Sequence, residues 1–154
     1  MIIPFLQKLI CISLSALGFS LVFSVRYSKI FYTVCGGIIT CCASFFISSF
    51  SDNLFIKSMI SAFIATAYSE LMARLLKAPS TVFLLPSIIP LVPGSLLYYS
   101  MSCLVHQDNS GFYYYLGATI KTALGIAVGI IVISLSVYHL YKYKSIFKHR
   151  GHRL

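Results

Sequence analysis

Five long apolar runs divide the chain, and short polar segments separate them. Each run has about 20 residues or more, which is the length at which an α-helix crosses the hydrocarbon core of a bilayer. The pattern therefore predicts an all-α integral membrane protein with five transmembrane helices. The predicted spans cover approximately residues 3–25, 30–50, 54–76, 80–104 and 112–141, and a basic tail follows at residues 142–154.

The fourth run differs from the others because prolines interrupt it. Pro86, Pro90 and the pair Pro93–Gly94 all lie near its centre. A proline inside a helix removes one N–H donor and frees a carbonyl group in the preceding turn. In a membrane such groups are tolerated only where protein or a water-lined cavity satisfies them. We therefore predict that the fourth span is broken close to mid-membrane, as in transporter helices that form binding sites.

A second half-helix that begins at Pro93 would direct its first N–H groups, including that of Gly94, into a cavity. The positive end of the helix dipole then favours an anionic group such as a carboxylate. The alternative is a kinked helix that only shapes the bundle. The candidate substrate-path residues in this run are Pro86, Ser87, Pro90, Pro93, Gly94, Ser95 and Tyr98.

Glu70 and Arg74, near the end of the third run, are further candidates for this path, at its cytoplasmic mouth. An ionisable residue inside a span is costly and by default suggests a function. Their spacing of four residues, with the acid first, equally favours a simple helical ion pair. Lys57 and Lys121 are interpreted first as residues that snorkel or pair. Gly125 and Gly129 form a GxxxG pattern, which predicts a helix-packing face within the chain or between subunits.

Composition and charge support the membrane prediction and orient it. The 154 residues are 58% hydrophobic and 10% charged, with a mean hydropathy of +0.89, whereas soluble domains carry about 25% charged residues. Twelve Lys and Arg residues stand against three acids, and most of the basic residues collect on one side of the predicted spans. The positive-inside rule then predicts an outside N-terminus and a cytoplasmic C-terminus. Anionic lipid near the tail explains the excess charge better than nucleic acid does.

Enzyme chemistry is not expected. The three acids are well separated, no HExxH, GxSxG or glycine-rich phosphate loop is present, and the five cysteines have no metal-binding spacing. We therefore expect no catalytic residue, no metal site and no cofactor.

Three segments of the sequence resemble the threonine/serine exporter (ThrE) family, and in particular its small YjjB-type subunit. They are Leu17–Val25, Glu70–Arg74 and Ala78–Tyr98, and IIPLVPGSLLY within the last of them is the most specific part. The resemblance implies a five-helix subunit that works with a larger five-span YjjP-type partner in the plasma (inner) membrane. It also implies secondary export of small amino acids such as threonine and serine, or in some members of a dicarboxylate such as succinate. It supplies no established catalytic residue.

The sequence thus favours a subunit of a secondary exporter for small amino acids. Two alternatives stay open: export of a dicarboxylate, and a structural membrane subunit that stabilises a transporter partner without contacting substrate.

Overall fold

A computed structural model describes residues 2–150 of the chain, with the side chains of residue 7 and residues 9–139. This part consists of six α-helices and one short 3-10 helix, without strands. In chain order these are α1 (Ile2–Val22), α2 (Tyr27–Ser48), α3 (Leu54–Leu75), α4 (Thr81–Ile88), the 3-10 helix (Ile89–Leu91), α5 (Gly94–Val105) and α6 (Asn109–Arg150). The predicted all-α class is confirmed for these residues.

Three of the described helical segments are long and apolar enough to cross a membrane: α2, α3 and the part of α6 from Asn109 to His139. The segments Thr81–Leu91 and Gly94–Val105 together pass the same test, but their axes differ by 48°, as in a broken span or a re-entrant loop. The apolar part of α1 with described side chains, Leu9–Val22, is shorter than a span. These lengths fit an all-α membrane protein, and the count of five spans stays a prediction.

The last helix continues beyond the predicted fifth span. α6 has 42 residues, or about 63 Å at 1.5 Å per residue, about twice the thickness of the hydrocarbon core. No glycine or proline interrupts residues 130–150, and the backbone is helical to Arg150. Residues 151–154 and the side chains from residue 140 onward lie outside the described part. The predicted contact of the basic tail with anionic lipid therefore stays a prediction.

Helix α3 is the centre of the bundle and packs against α2, α4 and α6. Its buried side chains are all small, which lets neighbouring helices approach closely in a membrane. Each buried hydroxyl group on α3 donates to the carbonyl group four residues earlier, as Ser69 does to Ala65 at 2.8 Å, so the core contains no unsatisfied hydroxyl of this helix. The buried residues are Ser58, Ser61, Ala62, Ala65, Thr66 and Ser69.

The GxxxG pattern of α6 packs against α3, within the chain. A Cβ atom at Gly129 would lie 2.9 Å from Ala62 Cβ and 3.0 Å from the Phe63 backbone nitrogen. A Cβ atom at Gly125 would meet Ser58 and the backbone of the same turn of α3. The points of contact advance in the same direction on both helices, so α3 and α6 are parallel.

Large apolar side chains are on the outside of this bundle. Leu14, Val22, Phe31 and Phe50 are each at least 69% exposed, while serine, threonine and alanine fill much of the interior. A protein surrounded by lipid needs no apolar core to drive association, so its helices pack through small residues instead. The distribution is the one expected of a membrane-embedded bundle.

Candidate functional site

The predicted break in the fourth run is present, and its geometry follows from the prolines. Pro90 lies in the first turn of the 3-10 helix, where its missing N–H costs nothing. The chain then turns at Pro93 (φ −78°, ψ 53°), where the Gly94 N–H donates to the Val92 carbonyl at 2.8 Å. This is an inverse γ-turn. The Leu97 N–H donates to the Pro93 carbonyl at 3.0 Å and begins α5.

The sequence predicts that the Gly94 N–H is free to bind a ligand, and the structure differs on this point. That donor is already bonded to Val92. Gly94 itself has no positive φ, and a Cβ atom there would meet nothing within 4 Å. The glycine is therefore not required by the backbone, and the prolines alone account for the break.

Two adjoining cavities lie against the break, with volumes of about 140 and 240 Å³. Pro90, Leu91, Ser44 and Lys57 line both cavities. The smaller cavity is also lined by Leu54, Ser58, Pro93, Ser95, Leu96 and Thr122. The break is therefore bordered by polar side chains from α2, α3, α5 and α6.

Lys57 is the charged group of this site. It lies in the first turn of α3, is half-buried, and donates from Nζ to Ser48 Oγ at 2.9 Å. Within the described part of the chain, the hydroxyl groups of Ser44 and Ser95 make no hydrogen bond, so both can bind a solute. The sequence pattern favoured snorkelling or pairing for Lys57. The sequence shows that Lys57 follows the polar Asp52–Asn53 turn by about one helical turn. The neighbouring residues do not show that it faces the break.

Pro86 and Ser87 are buried between α2 and α4, away from these cavities. The Ser87 hydroxyl donates to the Phe83 carbonyl at 2.7 Å. Gly36 of α2 packs directly on the Ser87 hydroxyl group, and a Cβ atom at Gly36 would collide with it. This region is tightly packed in the described structure, so a role for Pro86 and Ser87 in the substrate path stays a prediction.

Glu70 and Arg74 line a different cleft, at the opposite end of the α4 and 3-10 segment. This cleft has a volume of about 470 Å³ and is bordered by Lys77, Pro79 and Ser80 at the connection between α3 and α4. The structure brings Glu70 and Arg74 together with this connection but not with Pro93 or Lys57. Nearby, Lys29 Nζ donates to the Leu76 carbonyl at 3.2 Å and ties α2 to the end of α3.

Tyr98 is 69% exposed on α5 and lines neither cavity at the break. Its ring makes an edge contact with Tyr99, which in turn packs against Tyr115 of α6 at a centroid distance of 5.5 Å. α5 packs mainly against the first turns of α6. Tyr98 is thus on the outer face of a two-helix unit, and its place in a substrate path stays a prediction.

Asp108 fixes the connection between α5 and α6. The Ser110 hydroxyl donates to Asp108 Oδ1 at 2.7 Å, and the Gly111 N–H donates to the same oxygen at 3.1 Å. These bonds favour the ionised carboxylate and lower the pKa of Asp108. Asp108 therefore caps the start of α6.

The break is close to one end of α3. Pro93 and Ser95 share their cavity with Leu54 and Ser58, which belong to the first two turns of α3. Beyond this level α5 and α6 continue together as a pair. The predicted depth near the middle of the membrane stays a prediction, but the break is not halfway along α3.

A family model described as the threonine/serine exporter, ThrE, matches residues 8–136. The match includes α3, the whole broken segment and α5, together with most of the apolar part of α6. The chain belongs to the threonine/serine exporter family. This family comprises membrane transporters, not enzymes. No solved structure matches the chain. Among the residues that the structure describes, no three His, Cys, Asp or Glu side chains lie close enough together to hold a metal ion.

Because the chain belongs to the exporter family, the geometry at the break is relevant to transport. Two hydroxyl groups without partners and one ammonium group border a small cavity beside the prolines of the break. Such an arrangement offers hydrogen bonds and a charge to a polar solute beside the break.

Proposed function

We propose that the chain is one subunit of a secondary exporter for small amino acids of the threonine and serine type across the plasma membrane. The observation that carries the proposal is the cavity against the Pro93 turn, in a chain of the exporter family. In this proposal the N-terminus is outside and the C-terminus cytoplasmic.

The chemistry of the cavity suits a small zwitterion. The volume of about 140 Å³ equals the share of about five water molecules in the liquid, which is room for a small solute. The free hydroxyl groups of Ser44 and Ser95 can bond the hydroxyl group of threonine or serine. Carbonyl groups in the broken segment can accept from an amino acid's ammonium group.

We further propose that a larger five-span subunit of the YjjP type completes the path. Both cavities at the break are open on one side, and α5 contacts mainly α6, which leaves its remaining faces exposed. A partner helix placed there would enclose the solute. Glu70 and Arg74 would then border the cytoplasmic entrance, at the cleft beside the α3–α4 connection.

The test of the substrate is an efflux measurement. Cells loaded with a threonine-containing dipeptide are compared with and without the chain, each with the larger subunit present, and succinate-loaded cells are followed in parallel. We expect faster threonine efflux only when both subunits are present. Efflux of succinate alone would replace the proposed substrate with a dicarboxylate.

A second experiment separates a lining role from a structural one. Gly94→Val adds bulk beside the Pro93 turn, at a position where the chain itself leaves open space. Lost efflux with unchanged co-purification of the larger subunit supports a lining role. Lost co-purification would instead indicate a subunit that only stabilises its partner.

Glu70→Gln tests the proposed entrance. If the carboxylate serves substrate or proton movement, efflux should fall at least tenfold while the amount of protein in the membrane stays the same. Full efflux from this variant would leave Glu70 as a structural partner within α3.

A further inference from the structure

Lys57 borders the break at one end of the bundle. Its side chain lines both cavities together with Pro90 and Leu91, and its Nζ atom donates to Ser48 Oγ of α2. Ser48 is the exposed last residue of α2. The side chain therefore joins the start of α3 to the end of α2 beside the broken segment.

No protein carboxylate neutralises this charge. In the described part of the chain Lys57 makes no ion pair, and its side-chain hydrogen bond is to a neutral hydroxyl group. None of the three acids lines the cavities at the break: Asp52 lines another pocket with Lys121, Glu70 lines the far cleft, and Asp108 caps α6. A half-buried cation without a counter-ion is costly in a membrane protein.

The helix ends around Lys57 offset each other. Lys57 lies in the first turn of α3, at the positive end of that helix dipole, while its Nζ atom bonds the last residue of α2, at the negative end of the α2 dipole. The missing counter-ion is supplied if a negatively charged group of a solute enters the cavity.

We propose that Lys57 binds the carboxylate group of the transported solute and makes the cavity at the break selective for solutes that carry one. The ammonium group of Lys57 pairs with the carboxylate, and the unpartnered hydroxyl groups of Ser44 and Ser95 are near enough to share it or to bond the rest of the solute. Lys57 is thereby a specificity-determining residue. This inference rests on the proposed transport function.

The test is a binding measurement on the purified complex of the full chain with its larger subunit. The probes are L-threonine, succinate and L-threonine amide, which keeps the ammonium group but has no carboxylate. Each competes with radiolabelled L-threonine or succinate. We expect Lys57→Gln to weaken L-threonine binding at least tenfold and Lys57→Arg to weaken it less. L-threonine amide should bind weakly to the wild type and equally weakly to Lys57→Gln.

Lys121→Gln is the matched control, because Lys121 is an exposed lysine near the same end of the bundle that lines a pocket without the break. It should bind L-threonine like the wild type. Ser48→Ala separates binding from structure: it removes the neutral partner of Lys57 but leaves the charge, so L-threonine binding should persist. Equal losses in Ser48→Ala and Lys57→Gln would assign Lys57 a structural role and overturn the proposal.

Two further outcomes distinguish this inference from the proposed function. Threonine efflux by the wild type with unchanged efflux by Lys57→Gln overturns the inference and leaves the function standing. Absent threonine efflux overturns the function, and succinate binding that requires Lys57 would then still support the carboxylate site. Wild-type affinity for L-threonine amide equal to that for L-threonine would overturn the inference directly.

Discussion

The contact between α3 and α6 and the break between α4 and α5 use opposite means to place helices in a membrane. At the first, glycines and small side chains bring two parallel helices together until no Cβ atom fits at Gly125 or Gly129. At the second, prolines turn the backbone by 48° and leave cavities beside it. Close approach of the helices thus depends on Gly125 and Gly129, whereas the cavities lie beside Pro90 and Pro93.

Hydroxyl groups show the same division. Those of Ser61, Thr66 and Ser69 in α3 donate to carbonyl groups of their own helix, so they add no polar surface to the core. Those of Ser44 and Ser95 at the break have no partner in the described part of the chain. The same residue type therefore serves packing in one region and leaves unpartnered hydroxyl groups beside a cavity in the other.

The largest stability effect should come from filling the α3–α6 contact. We expect Gly129→Ala to lower the free energy of unfolding by about 1–3 kcal/mol, because the new methyl group meets Ala62 and the α3 backbone and the helices must separate. Unfolding by SDS, followed by circular dichroism, measures this change. Gly117→Ala on the same helix is the control, since nothing lies within 4 Å of its added Cβ atom. Equal destabilisation in both variants would contradict the packing role.

The corresponding glycine at the break should behave in the opposite way. We expect Gly94→Ala to raise the free energy of unfolding by about 0.4–1 kcal/mol, because the folded chain has room for the methyl group and the unfolded chain loses freedom. The same SDS titration measures it. A clear destabilisation would mean that the turn needs glycine, and the contrast with Gly129 would fail.

A hydrogen bond between helices should contribute less than the glycine contact. Ser20 of α1 and Thr33 of α2 have their hydroxyl oxygens 2.7 Å apart, and both side chains are buried. A double-mutant cycle with Ser20→Ala and Thr33→Val should give a coupling energy of about 0.6 kcal/mol. A coupling energy above the cost of Gly129→Ala would show that polar contacts, not close approach, stabilise the bundle.

The smallest effect should arise at the turn that joins the break to α6. Folding lowers the pKa of Asp108, so its contribution to stability is present above the ordinary carboxyl pKa and is lost as the pH falls through the lowered value. We expect the hydrogen-exchange protection of the Gly111 amide to be constant down to about pH 4 and to decline below it. Asp108→Asn should show weaker protection without this decline. An unchanged profile in that variant would exclude the carboxylate as the cause.

Several features of this molecule were predictable from the sequence because they depend on neighbouring residues only. Four apolar runs match described helices closely, and the break falls at the prolines that predicted it. α6 continues past the predicted end of its span near residue 141, because without a glycine or proline the backbone stays helical to Arg150. Hydropathy indicates which part of a helix lipid can surround. It does not indicate how far the backbone hydrogen bonds of the helix continue.

The helical class, the membrane character, the small-residue packing face of α6 and the break at Pro93 can be inferred from the residues alone, since propensity, hydropathy and missing N–H groups act locally. Which side chains meet at the break depends on how the helices pack. The tertiary structure separates Glu70 and Arg74 from Pro93 by the length of the α4 and 3-10 segment, and it brings Lys57 to the cavity. The physical reason is that this neighbourhood depends on how α2, α3, α5 and α6 pack around α4, and helix packing joins residues that are far apart in the chain.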